Sequence, residues 1–357
     1  MNWIINDRVN NQHRDFVKKL LYYGGYYSLY EKLHRPSENR LLILMYHSVV
    51  PDRDQRSQWY RWNTPSQTQF EAALITLKKY YRVMSVEDAV QEIKSAGSLR
   101  EPSAAITLDD GYLSSYDIVF PLLKKHGLTA TIYLPTDWID GRMNPWWMEL
   151  TAILDQGRIT PDTIALLEKI MGLSVGLTVD IFNQPAEARK RIMTRIEGVL
   201  MRKDDSTRNR LLQELRGALV EGQFSDARLE APMTWAHINE MASHGIRFGA
   251  HTCLHPNLSY VDLETAEREI VESKRIIESH LGTEVSGFAY PYGYDVAGYQ
   301  RFRPILEKHG FLYACTTGCS YVDSASDRYL LGRIGVPLST SNAIIARTLT
   351  LEYCARP

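Results

Sequence analysis

Hydrophobic positions fall along this chain in two alternating rhythms. Leu41–Tyr46 and Ala104–Leu108 are short continuous apolar runs. Such runs suit strands buried on both faces, as in a parallel sheet or barrel. Between them apolar residues recur at helical spacing. Thr68–Tyr80 places Phe70, Leu74 and Leu77 on one stripe, and Val86–Lys94 and Tyr116–His126 behave alike. Val83-Met84 and Thr129–Leu134 read as further strands. The alternation predicts an α/β fold with parallel strands. It stops from about 137 to 231, where Ala165–Met171, Ala186–Leu200 and Arg208–Val220 read as a helical insertion. It resumes with a helix over Trp235–His244, a strand over Ile246–Ala250 and an amphipathic helix over Leu263–Leu281. Strand Gly287–Tyr290, helix Phe302–His309 and strands Leu312–Thr316 and Leu331–Val336 follow. Residues 1–40 stand apart as an N-terminal helical arm broken at Gly24-Gly25, leaving 41–357 as the main domain.

Composition narrows the class without naming it. With 357 residues, 44% apolar and 23% charged, the chain can bury a full core without staples. A net charge of −1 gives no electrostatic case for nucleic acid. No apolar run is long enough to span a membrane and no leader pattern opens the chain, so a cytoplasmic protein is expected. The tyrosines and lysines of residues 1–38 would suit peripheral contact with a membrane surface. Oligomeric state is not legible. The four cysteines, 253, 315, 319 and 354, form no CxxC pair and read as reduced thiols.

Two segments carry the chemistry. Thr107-Leu108-Asp109-Asp110-Gly111 supplies adjacent carboxylates, and His251-Thr252-Cys253-Leu254-His255 supplies imidazoles at i and i+4. Both follow predicted strands, as does Pro291-Tyr292. In a parallel barrel all strand C-termini meet on one face, so these residues converge. Two imidazoles and one carboxylate with an open position are a common catalytic zinc arrangement, leaving one aspartate as a base. A turn at Gly111 would let the two carboxylates take separate roles. Metal-assisted hydrolysis is the expected reaction class. The insertion opens with Asn144-Pro145-Trp146-Trp147, whose indoles serve either as core or as a stacking face for a sugar ring. No phosphate-cradling GxxxxGK[ST] and no GxGxxG after a strand competes.

At these residues the chain resembles the polysaccharide deacetylases, the NodB-homology group of carbohydrate esterase family 4. The family's T-F-D-D-G appears as Thr107–Gly111, its H-[ST]-x-x-H as His251–His255, and its R-x-P-Y as Ala289-Tyr290-Pro291-Tyr292. The resemblance covers roughly residues 40–340. It implies a distorted (β/α)7 barrel, with the helical insertion and arm as additions. It also implies metal-dependent removal of N-acetyl groups from amino sugars, most simply with Zn²⁺. It assigns Asp109 as general base, Asp110, His251 and His255 as metal ligands, and the Tyr292 backbone N–H to the oxyanion.

Two departures shape the expectation. The motif arginine that orients the base is here Ala289, and Arg333 on a late strand is taken as its substitute. No histidine follows residue 309, where the family keeps its Leu-x-Leu-His. Leu42–His47 has that form at the start of the domain instead. This is similar to the circularly permuted poly-N-acetylglucosamine deacetylases and makes His47 the general acid. The expected substrate is an N-acetylated amino sugar in a poly- or oligosaccharide or glycan precursor. A C–N hydrolase on a non-sugar amide and an inactive carbohydrate-binding module stay open as alternatives.

Overall fold

The computed structural model describes residues 40–52, 64–158, 160–172, 186–222, 224 and 230–335. The arm, and the membrane contact expected of it, lie outside these residues. Eight strands are described: β1 (Leu41–Tyr46), β2 (Arg82–Val83), β3 (Ser103–Leu108), β4 (Thr131–Leu134), β5 (Arg247–Ala250), β6 (Gly287–Ala289), β7 (Tyr313–Cys315) and β8 (Ile334–Gly335). Their order is β7-β6-β5-β4-β3-β1-β8, all neighbours parallel, with β2 paired to β3. A parallel bridge from Cys315 to Leu331 ties β7 to the segment entering β8, so the curled sheet meets itself. The result is the α/β fold of parallel strands that the alternation predicts, curled into the distorted β/α barrel that the family resemblance implies.

Helices α1 (Gln67–Tyr80) and α2 (Val86–Ala96) cover the outside of the first strands. Ser66 caps α1 with a capping box to Gln69, and Ser85 caps α2; each oxygen satisfies an orphan N–H of the first turn. The predicted helix Tyr116–His126 divides into a π-turn over Ser115–Val119 and α3 (Phe120–His126), which ends at left-handed Gly127. After β4 come α4 (Thr136–Ile139), α5 (Trp146–Gln156), α6 (Pro161–Met171), α7 (Ala186–Leu200) and α8 (Asp205–Leu219). No strand lies between β4 and β5 among the described residues. Helices α5 to α8 bury their own apolar cluster, including Trp146, Leu150, Ile153, Ile196 and Leu215. Helices α9 (Trp235–Ser243), α10 (Leu263–Leu281) and α11 (Arg303–Lys308) return to the barrel.

Strand alternation sorts the core into two clusters. Leu42, Leu44, Ala104, Ile106, Ile132 and Phe288 pack outward against the helices. Leu41, Ile43, Ala105, Tyr133, Tyr313 and Cys315 form a separate cluster within the barrel. Side chains two apart share a face of a strand, so Asp109 continues the inward row of Ala105 and Thr107. His251 continues the row of Gly249, and Arg333 falls on the face opposite outward-packed Ile334. Gly249 is required here: a Cβ would stand 2.5 Å from the Tyr133 ring.

Candidate active site

The chemistry-bearing residues other than Arg333 sit at or shortly after the C-terminal ends of strands. His47 follows β1 by one residue, Asp109 and Asp110 follow β3, His251 follows β5, and Tyr292 lies three residues after β6. Arg333 lies just before β8; the predicted strand from Leu331 is shorter than expected, and Val336 is outside the described residues.

The backbone is bent to serve this site. Asp110, Thr252, His255 and Tyr292 are the non-glycine residues with positive φ among the described residues, at 70°, 65°, 55° and 63°. Every one belongs to a motif segment, and conformations of this kind persist where surrounding contacts hold them. Gly111, φ 67°, completes the turn that separates the two carboxylates. Gly293 permits a close approach to Thr317, since a Cβ there would stand 2.7 Å from the Thr317 backbone nitrogen. Thr317 Oγ1 donates to the Tyr292 carbonyl at 3.1 Å, and Trp146 Nε1 donates to the Tyr292 hydroxyl at 2.9 Å.

Asp109 is buried and gripped by Arg333. Nη1 and Nη2 donate to Oδ1 and Oδ2, each at 2.7 Å, a bidentate pair. The guanidinium is itself held, with Nε donating to the Thr316 carbonyl at 3.0 Å and Nη1 reaching Thr107 Oγ1 at 3.3 Å. It lies over the Tyr133 ring, 5.6 Å from its centroid. Burial alone would raise the Asp109 carboxyl; the Arg333 charge overrides it and holds the group well below the usual carboxylate range. His47 stands at the mouth, 45% exposed, with Nε2 4.0 Å from Asp109 Oδ2. Arg333 thus gives Asp109 a guanidinium partner from another part of the chain.

Asp110, His251 and His255 form a second, buried group. Asp110 Oδ1 lies 3.6 Å from His251 Nε2 and 3.5 Å from His255 Nε2. Ligand atoms of all three fall within 4.8 Å of one another. His251 Nδ1 donates to the Ala289 carbonyl at 2.7 Å, which turns a bare Nε2 toward Asp110. Asp110 Oδ1 is buried and accepts no hydrogen bond. Burial pushes the Asp110 carboxyl up, the His251 imidazole down, and the His255 imidazole well down. Neutral imidazoles beside an orphaned carboxylate oxygen fit a divalent cation.

The tryptophans resolve toward packing. Trp146 is buried in the α5–α8 cluster, and Trp147 Nε1 donates to the Tyr112 hydroxyl at 2.9 Å while its ring lies 4.9 Å from His255. They brace the site as well as lining it. Sequence reasoning missed three features. Ser48 donates to buried Glu230 at 2.7 Å and contacts Ser114 at 3.0 Å beside His47. Glu197, from α7, lines the same cavity of about 260 Å³ as Asp109, Asp110 and His251. Cys319 is disulfide-bonded, which corrects its reading as a reduced thiol; Cys253 and Cys315 are buried free thiols as expected. Gly172–Gly176 also spells GxSxG, but Gly172 caps helix α6 rather than following a strand, and 173–176 lie outside the described residues.

Comparison with known proteins agrees with this architecture. Residues 96–161 and 216–314 match the family model for polysaccharide deacetylase. Both motif segments, Thr107–Gly111 and His251–His255, fall inside the two stretches in which the chain is similar to that family. YxkH of Bacillus subtilis (strain 168), a protein named as a polysaccharide deacetylase, is 32% identical over 108 residues. That match covers 30% of this chain and spans 35% of the relative's length. Among solved structures, the Streptococcus pyogenes deacetylase PplD in complex with acetate aligns with a TM-score of 0.56 and 17% identity, covering 87% of this chain and 99% of that one. IcaB from Ammonifex degensii aligns with a TM-score of 0.50 and 20% identity, covering 87% and 97%.

Proposed function

We propose that this protein is a metal-dependent deacetylase that hydrolyses the N-acetyl group of an amino sugar in a poly- or oligosaccharide or glycan precursor. The observation that carries the reading is one barrel mouth holding two differently wired carboxylates. Asp109 is locked by Arg333, while Asp110 keeps an orphaned oxygen beside two bare imidazole nitrogens. The family match and the acetate in the PplD structure support the direction.

Asp110, His251 and His255 would hold the metal, for which their nitrogen and oxygen donors best suit Zn²⁺. A bound divalent ion supplies Lewis acidity at the carbonyl oxygen and lowers the pKa of water to ~7. Asp109 stays ionised because Arg333 stabilises its charge, and each of its oxygens keeps a second lone pair after accepting from the guanidinium. It therefore accepts the proton of the attacking water in one orientation. The Tyr292 backbone N–H donates to the oxyanion of the tetrahedral intermediate, a role worth ~2.7–4 kcal/mol. His47, at the mouth, gives its proton to the leaving nitrogen.

The Arg333–Asp109 pair weakens the inactive-binder alternative, which rested on the missing motif arginine and the missing C-terminal histidine. Residues 137–231 are read as an insertion into a domain spanning 41–357; the family match leaves 162–215 between its two parts. Among the described residues no helix is long and apolar enough to cross a membrane. Incubating zinc-loaded protein with a panel of N-acetylated glycans and simple amides, read by mass spectrometry, tests the function. Loss of about 42 Da per site, one acetyl group, from sugars alone supports it; turnover confined to non-sugar amides would sink it.

A further inference from the structure

One wall of the active-site cavity does not come from the barrel. Thr151 of α5, Met193 and Glu197 of α7, and Met201 just beyond it face the same space as Asp109 and His255. Three of the four are what a cavity wall requires: Met193 and Thr151 are buried, and Met201 is partly buried. Glu197 is the exception. It is partly buried beside methionines, and among the described residues no hydrogen bond or ion pair reaches its carboxyl. Burial alone raises its pKa to about 7. An amphipathic helix has solvent-facing positions for a glutamate at no such cost. A partly buried carboxyl at this wall is stabilised when something in the cavity donates to it.

We infer that Glu197 is a specificity-determining residue that accepts a hydrogen bond from a ring hydroxyl of the bound sugar, so that α7 selects the substrate which the barrel deacetylates. The inference rests on the deacetylase reading above. A neutral N-acetyl sugar offers hydroxyls, not cations, and a site built to bond a hydroxyl discriminates strongly against ligands that lack it. The amine of a deacetylated sugar is the rival donor.

The test is calorimetric binding in the Asp109→Asn background, which removes turnover. The ligands are an N-acetylglucosamine tetramer and the same tetramer with free amines. Glu197→Ala is expected to weaken the acetylated tetramer about ten-fold or more, while Glu197→Gln, which keeps an acceptor oxygen, stays within about three-fold. In the Asp109 enzyme the Ala variant should raise KM and leave kcat nearly unchanged. Equal binding by the Ala variant and its parent overturns the inference. A loss confined to the amine tetramer overturns the hydroxyl assignment. A parent that binds neither tetramer overturns the sugar reading, and this inference with it.

Discussion

Arg333 and Asp109, separated by 224 residues in sequence, meet as a buried bidentate pair with both contacts at 2.7 Å. The pair joins the last described strand to the end of β3 and sits under the mouth of the barrel. It gives the base a fixed orientation and a stable charge without the motif arginine.

Replacing Arg333 tests that relationship. Arg333→Lys keeps a positive charge but cannot grip both oxygens, and should cost more than about ten-fold in kcat with the fold retained. Arg333→Ala strands a buried carboxylate and should cost about 3–5 kcal/mol of stability. Chemical denaturation beside kinetics separates the two effects. Unchanged kcat in the Lys variant would remove Arg333 from the account.

Metal binding should appear as stabilisation. Zinc at about 100 times its dissociation constant should add roughly 2.7 kcal/mol to the wild-type unfolding free energy. His251→Ala and His255→Ala should lose that response, and a chelator should reverse it in the wild type. A wild-type melting temperature that ignores zinc would exclude Asp110, His251 and His255 as a tight site.

Glu197 predicts a pH signature. Its pKa rises from the usual 4.5 to about 7 on folding. The folded state therefore holds the proton more tightly, and stability from this group is present below about pH 4.5 and lost as pH rises through about 7. Glu197→Gln cannot ionise, so its stability relative to wild type should grow between pH 5 and pH 8, by up to about 3 kcal/mol. A difference that stays flat across that range would show that the carboxyl is not buried as described.

His47 predicts a leaving-group effect. If it protonates the departing nitrogen, His47→Ala should lose about 10²–10⁴-fold on an N-acetyl sugar. It should lose far less on an aryl acetate, whose leaving group departs without a proton. Equal losses on both substrates would assign His47 another task.

Much of this was legible because strand periodicity is a strong signal. The runs at Leu41–Tyr46 and Ala104–Leu108 read as buried strands, and parallel strands bring Asp109, His251 and His47 to one end. Alternation also explains why Asp109 points inward to Arg333 while left-handed Asp110 turns toward the histidines. Other features were not legible. Nothing local marks the Cys319 disulfide, because bridges depend on distance in the fold. Glu197 looks like any polar position on an amphipathic helix until α7 is placed against the cavity. The tryptophan pair read as core more readily than as a stacking face; the Trp146 bond to Tyr292 adds a bracing role while both indoles still line the cavity. The π-turn at Ser115–Val119 is hidden because its apolar spacing continues into α3.

The central claim is that Asp109 is the base and Asp110 a metal ligand, although the two are adjacent. Asp109→Asn and Asp110→Asn, each loaded with zinc and compared with wild type for metal content and acetate release from an N-acetylglucosamine oligomer, separate these roles. The account predicts that Asp109→Asn keeps one zinc per chain and loses at least about 10²-fold in turnover, while Asp110→Asn loses the metal. Near-normal turnover by Asp109→Asn, or metal loss from it instead of from Asp110→Asn, would contradict the account.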